Sequence, residues 1–337
     1  MSPTPSDRAA FDQPYNDVLP AFRTAVTSKG MKLAEHDDHA EVTLSRGTIR
    51  LDADGSRSSV TLFEVDAIGG QVLRDLLDTM AADMGMTLQW AVQRDRGLPA
   101  NLSLTTVETS EQISPSFHRL VVRGTDLSRF ASGGLHFTLP QGPEGAGWPY
   151  TDEGGVTRWP EGIAAWHRPV FTTRSLEQVG DDWRLTFDVF LHDGGRTPGW
   201  ASGLGAGDEV AIMGPSGSAM PKPAGYLAII ADETAVPVAA RILADWPIDA
   251  EGQVILFVQD HKDVQDLTAP PGITIDWVLR GSDETPVDAV NRLNLPDSDR
   301  YVLFAAEKSE AAAAKEALTA KGLVRGEFLA ASYWSAS

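Results

Sequence analysis

Residues 226–246 read YLAIIADETAVPVAARILADW. Tyr226 to Ala231 form a short apolar run of the kind that makes a buried strand. Val238 to Trp246 read as a helix. Between them, Thr234 offers a hydroxyl to cap the first turn, and Pro237 suits an early helical position because it has no amide hydrogen to lose. A strand feeding a helix N-terminus at the edge of an α/β domain is a natural place for a polar or anionic ligand. Taken alone, the six residues from Asp232 to Pro237 fit a bare strand-to-helix turn equally well.

The rhythm continues to the end of the chain. Strands are predicted at Gln253 to Gln259, Ile273 to Val278, Arg300 to Ala305 and Phe328 to Tyr333. Helices are predicted from Val287 and over Ser309 to Leu318. Alternation of this kind implies an α/β domain with a doubly wound parallel sheet. No G-x-G-x-x-G follows the first strand, so the usual dinucleotide fingerprint is missing.

Upstream the pattern is all strand. Leu102 to Val107, Phe117 to Arg123, Leu135 to Leu139, Val170 to Ser175, Trp183 to His192 and Glu209 to Met213 are the candidates. Along the fifth, Trp183, Leu185, Phe187, Val189 and Leu191 share one face. Six such strands suit a closed antiparallel β-barrel. Pro140 to Pro169 is a long loop dense in Gly, Pro and Trp, a length common in functional lids. Earlier still, a helix from Asp17 to Ser28 is followed by strands Ala40 to Leu44, Thr48 to Ala53 and Ser59 to Val65. An amphipathic helix carrying Val72, Leu73, Leu76, Leu77 and Met80 and a strand from Thr87 to Trp90 complete an α+β unit. Residues 1–14 read as a flexible tail. The expected domains are 1–98, a small α+β domain with that tail; 99–222, the barrel; and 223–337, the α/β domain.

Composition narrows the chemistry. The chain has 337 residues, room for two or three domains. It has no cysteine, which excludes disulfides, thiolate catalysis and cysteine-ligated iron–sulfur clusters. A formal charge of −19 argues against nucleic acid and anionic membrane surfaces as partners. No apolar run approaches the ~20 residues of a membrane span, and the N-terminus lacks the features of a signal peptide. A cytoplasmic monomer with no membrane insertion is expected. His36 and His39 stand among acidic residues, which fits a solvated loop better than a metal site.

Four segments, in order, carry a resemblance: FDVFLHDGGRTPGWA at 187–201, GDEVAIMGPSG at 207–217, ADETAVPVAARIL at 231–243 and ASYW at 331–334. Together they resemble the siderophore-interacting protein family, over roughly Leu102 to Trp334. The resemblance implies a fold like ferredoxin–NADP reductase, with a flavin-binding barrel followed by a nicotinamide domain. It also likens the N-terminal unit to the small α+β domain of some members. The implied activity is ferric-siderophore reduction, electrons passing from NADPH (or NADH) through FAD to Fe(III). The flavin carries that chemistry, so no catalytic side chain and no protein-bound metal are implied.

Carried over residue by residue, the resemblance assigns Phe171 to the isoalloxazine face, Thr172 to its N5 region, and Arg174 or Arg168 to the flavin phosphate. His192, Gly195, Thr197 and Trp200 belong to the pyrophosphate segment, with Thr197 the plausible N-cap of a short helix. Asp232, Glu233, Thr234, Pro237 and Glu307 belong to the nicotinamide side, and Trp334 to the flavin from the C-terminal direction. The chain departs from the family pattern at Pro169, Pro198, Ala306 and the tail Ser335-Ala336-Ser337. It also has Thr138 where many relatives have a Lys, two residues after His136. Arg158, Arg168, Arg280 and Lys308 are candidates for an anionic chelate by type alone. Two other readings stay open: a reductase of free flavin or another acceptor, and a siderophore-binding relative without flavin.

Overall fold

The structure is a computed structural model, and it describes residues 5–192 and 194–336. The first four residues of the expected tail, Asp193 and Ser337 lie outside the described residues. Contacts divide the chain into two units: residues 1–103 with 140–168, and residues 104–139 with 169–337. The division differs from the three expected domains. The long loop belongs with the N-terminal unit, and the antiparallel and parallel sheets form one unit.

In the N-terminal unit the elements are β1 (Pro5–Phe11), α1 (Tyr15–Ser28), β2 (Ala34–Glu35), β3 (His39–Leu44), β4 (Gly47–Asp54), β5 (Arg57–Phe63), α2 (Ala67–Asp83) and β6 (Leu88–Trp90). The strands form one antiparallel sheet in the order β2-β3-β4-β5-β1-β6. Most of the expected tail is therefore a strand: β1 lies between β5 and β6, with Ala9 and Phe11 in the core. Non-local pairing, which composition does not reveal, overrides the polar reading of that segment. Helix α2 starts before Gly69 and Gly70, because the Asp66 carboxylate caps it by accepting from Gly69 N at 2.6 Å. His36 and His39 stack at 4.4 Å, and no metal-competent cluster occurs among the described residues.

The second unit takes in β7 (Leu102–Ser114) from Leu104 onward, β8 (Phe117–Gly124) and β9 (His136–Thr138). The chain then makes the short hairpin β10 (Tyr150–Thr151) and β11 (Thr157–Arg158), part of the N-terminal unit, before β12 (Val170–Thr172), β13 (Ser175–Val179), β14 (Asp182–Phe190), α3 (Arg196–Ser202) and β15 (Glu209–Ser216). Seven strands, not six, form the antiparallel sheet, in the order β12-β9-β15-β7-β8-β14-β13. Its two edges, β12 and β13, are separated in sequence only by Thr173 and Arg174. So short a connection reaches about 11 Å at most, and the sheet must curl to bring its edges together. Phe137, Phe187, Leu120 and Ile212 fill the inside.

The parallel half contains β16 (Tyr226–Ala231), α4 (Val236–Ala244), β17 (Glu251–Val258), β18 (Gly272–Leu279), α5 (Pro286–Arg292), β19 (Arg300–Glu307), α6 (Lys308–Ala320) and β20 (Phe328–Trp334). The strand order is β18-β17-β16-β19-β20, parallel throughout. Helix α4 and the cluster around Leu227, Ile229 and Leu256 cover one face; α5 and α6, with Ile230 and Phe304, cover the other. Such a sheet needs strands that are apolar on both faces, which YLAIIA is. No helix among the described residues is long and apolar enough to cross a membrane.

Candidate functional site

The turn after β16 is built on acids. Asp232 and Glu233 are 0% and 2% exposed. Asp232, not Thr234, is the cap: its Oδ1 accepts from Thr234 N at 2.9 Å and from the Thr234 hydroxyl at 2.5 Å. A carboxylate outcompetes a hydroxyl as acceptor, so Thr234 becomes a donor. Helix α4 begins at Val236, with Pro237 in its first turn. Both carboxylates are held by Arg280 at the end of β18. Its guanidinium donates to Glu233 at 2.9–3.0 Å and to Asp232 Oδ2 at 3.2 Å. Burial pushes the Glu233 carboxyl above its ordinary range, and the Arg280 bond only partly offsets this.

The C-terminal strand reaches the same turn. The Trp334 indole Nε1 donates to Asp232 Oδ2 at 2.7 Å, and the ring stays 41% exposed. One residue earlier, the Tyr333 hydroxyl lies 3.4 Å from His136 Nε2, and His136 Nδ1 lies 3.1 Å from the Thr172 hydroxyl. Burial raises the Tyr333 hydroxyl and lowers the His136 imidazole, so both are neutral near pH 7. Gly217 has φ +73°, and a side chain there would collide with the His136 ring. Thr172, His136, Tyr333, Trp334, Asp232 and Thr234 thus form one contiguous seam between the two sheets of the unit.

Along β12, Phe171 packs against Phe137 and Phe187, with ring centroids at 6.3 and 5.6 Å. Thr172 is 5% exposed. Arg174 turns inward and forms an ion pair with the fully buried Asp188 at 3.3 Å. Arg119 grips the same carboxylate in bidentate fashion at 2.6 and 2.8 Å, as their direct cross-strand register requires. Arg168 falls in the N-terminal unit, exposed, with its guanidinium over the Trp159 ring at 5.2 Å. The expected helix start also shifts. Gly195 is the N-cap of α3, and Thr197 lies inside the first turn, 6% exposed. The glycine gives room there, since a Cβ would lie 2.7 Å from the His192 ring and 2.8 Å from the Pro198 ring. His192 stacks on Phe190 at 6.0 Å, and Trp200 packs against the sheet core.

Glu307 caps α6, accepting from Ser309 and Glu310 amides, and its other oxygen accepts from Ala336 N at 3.2 Å. The Ser309 bonds, first the side chain's, hold its carboxyl at about 2. Ala306 is fully buried. The four basic candidates are scattered. Arg158 pairs with Asp78 and Asp152 in the N-terminal unit, Arg280 holds the acidic turn, and Lys308 is exposed at the start of α6. Sequence reading missed His136, Tyr333, Arg119 and Asp188 as neighbours of the site. Only the alternation of β14, which puts Asp188 opposite the apolar face, hinted at the last.

Comparisons with known proteins agree with this layout. Residues 106–219 match the siderophore-interacting FAD-binding domain, and residues 224–337 match the siderophore-interacting protein family itself. The chain belongs to the siderophore-interacting protein family. It is 29% identical to the NADPH-dependent ferric-chelate reductase of Escherichia coli over 68% of this chain and 92% of that protein. It is 28% identical to the ferric vibriobactin reductase ViuB of Vibrio cholerae over 66% of this chain and 85% of that one. Among solved structures, a siderophore utilization protein from T. fusca superposes with a TM-score of 0.61 at 26% identity, covering 72% of this chain and 96% of that one.

The residues fit an FAD. Beside Phe171, one buried donor is unspent: the Thr173 hydroxyl makes no hydrogen bond among the described residues, while Arg174 Nη1 meets Asp188 only as an ion pair at 3.3 Å. Two guanidiniums share one carboxylate there, leaving one positive charge over for a phosphate-bearing group. Thr172 supplies a hydroxyl and Trp334 an accessible aromatic face on the seam.

Proposed function

We propose that this chain reduces ferric siderophores in the cytoplasm, taking electrons from NADPH or NADH with FAD as its cofactor and releasing Fe(II). The observation that supports it most is the seam itself. One hydroxyl, one neutral imidazole and one exposed indole converge where the curled sheet meets the β16 turn. In this reading residues 99–222 hold the flavin and residues 223–337 the nicotinamide, and residues 1–98 are a small accessory α+β domain.

A bound FAD would supply the redox chemistry that links a two-electron nicotinamide donor to the one-electron Fe(III) substrate. The protein's part is orientation and electrostatics. Phe171 presents an apolar π-face, and Thr172 and His136 a polar edge for the ring. Arg174, with Arg119 fixing Asp188, supplies positive charge for phosphate, and His192, Gly195, Thr197 and Trp200 form the neighbouring segment. Asp232, Glu233, Thr234 and Pro237 hold the turn that faces the nicotinamide, and Glu307 braces the strand end that carries Trp334. No side chain need act as nucleophile or general acid.

The test begins by incubating the purified chain with FAD, desalting it, and recording bound flavin and the melting temperature. Retained yellow colour with a raised melting temperature is expected, since a ligand specific to the folded state stabilises it. Anaerobic NADPH, then NADH, should bleach the colour, and a ferric siderophore with a ferrous trap should restore it as Fe(II) accumulates. A colourless, unshifted protein would overturn the reading in favour of a flavin-free binding relative. Reoxidation by free flavin or quinone but by no ferric chelate would make it a general flavin reductase.

A further inference from the structure

The N-terminal unit contains a cavity of about 670 Å³ that plays no part in the reading above. Its size is that of small-molecule sites. The rim is apolar: Val92 and Leu98 are 56% and 47% exposed, with Val65 between solvent and core. The floor is charged. Arg74 is 5% exposed and Asp7 8%. Arg74 Nη2 donates to Asp7 Oδ2, and Arg94 Nη2 donates to the same oxygen from 3.2 Å.

One feature of that floor points to a missing acceptor. Arg74 Nε is buried and donates to nothing among the described residues. Unpaired buried donors are rare and costly. Asp7 is the carboxylate that hydrogen-bonds both guanidiniums, and Asp75 and Asp152 add only a weaker attraction on Arg74. Of the other acids lining the cavity, Asp66 is bound to the α2 amides and Asp95 is exposed. Burial first, and the Arg94 charge second, bring the Arg74 guanidinium down to about 10, against the smaller opposing pull of Asp75 and Asp152. The backbone is shaped to suit. At Gly155, φ is +72°, and a Cβ would lie 2.7 Å from Arg94 Cδ and 3.1 Å from Arg74 Nη1. Only glycine lets the β10–β11 turn close on both arginines.

We propose that this cavity binds a small organic monocarboxylate, its carboxylate on Arg74 and Arg94 and its apolar body against Val65, Val92 and Leu98. A guanidinium is the donor best matched to a carboxylate, and the apolar rim selects a ligand with a hydrocarbon or aryl body over a bare inorganic anion.

The full chain is titrated by calorimetry with 2-naphthoate and, as a neutral isostere, 2-naphthamide. Saturable one-to-one binding of the acid is expected, with the amide weaker by at least about tenfold, as loss of a charge-assisted bond implies. Val92→Glu and Leu98→Glu alter exposed positions, so they should melt as the parent does yet lose at least about tenfold in affinity. Asp7→Asn combined with Arg74→Met removes the buried pair together, avoiding a lone buried charge. That variant should fold and bind neither probe. Equal affinity for acid and amide, no saturable binding of the acid, or binding untouched by Leu98→Glu would each overturn the proposal.

Discussion

Two charge clusters in the second unit are mirror images. In the curled sheet, one carboxylate, Asp188, is shared by two guanidiniums, Arg119 and Arg174. At the head of the parallel sheet, one guanidinium, Arg280, is shared by two carboxylates, Asp232 and Glu233. The carboxylates are almost wholly buried in both. The first cluster keeps a unit of positive charge over and the second a unit of negative charge. The difference separates a place fit for phosphate from a place whose acids are structural, committed to a cap, an arginine and the Trp334 indole.

The harshest test is Arg280→Met. It leaves two buried carboxylates without a cation, and breaking a buried pair from one side costs about 3–5 kcal/mol. Urea denaturation should register that loss. Arg119→Met should cost less, about 2 kcal/mol, because Asp188 keeps Arg174. Equal losses would mean that the second cation offers no substitute, and the asymmetry between the clusters would be false. Trp334→Phe keeps an aromatic side chain but removes the N–H donor to Asp232 along with the indole's second ring, which at this exposed position costs about 1 kcal/mol. A larger loss would show the indole to be packed far more tightly than its exposure implies.

The smallest effects are in pH. Glu233 has a raised carboxyl pKa in the folded chain, so its stabilising contribution is present below its ordinary value of 4.5 and is lost as pH rises through the folded value. Glu307 is the opposite. Its carboxyl is depressed from 4.5 to about 2, so its contribution is present above 4.5 and lost as pH falls toward 2. The stability difference between parent and Glu307→Gln should therefore shrink on acidification between those values. The difference between parent and Glu233→Gln should move against the parent as pH rises above 4.5. Parallel slopes for the two variants would contradict the assigned environments.

Much of the parallel sheet was legible because its strands are continuous apolar runs and its helices have clear starts. The misses have a common cause in pairing at a distance. β13, SLEQV, is a short exposed edge strand visible only through its register with β14. β1 looks like a tail until β5 and β6 flank it. In the site, the acids of the turn could be read as pairing with an arginine, but nothing local names Arg280, 47 residues on from Glu233. Nor does any motif announce that Asp188 will draw Arg174 inward, since that depends on which residues face each other across β8 and β14.

The N-terminal unit is assembled from two separate stretches of chain, 1–103 and 140–168. Its helix α2 depends on the second stretch: Asp75 accepts from the Thr157 amide and hydroxyl at 2.8 and 2.7 Å, and Asp78 from Arg158 at 2.8 Å. A single genetic crossover near residue 100 would transfer the helix without the residues that satisfy its acids.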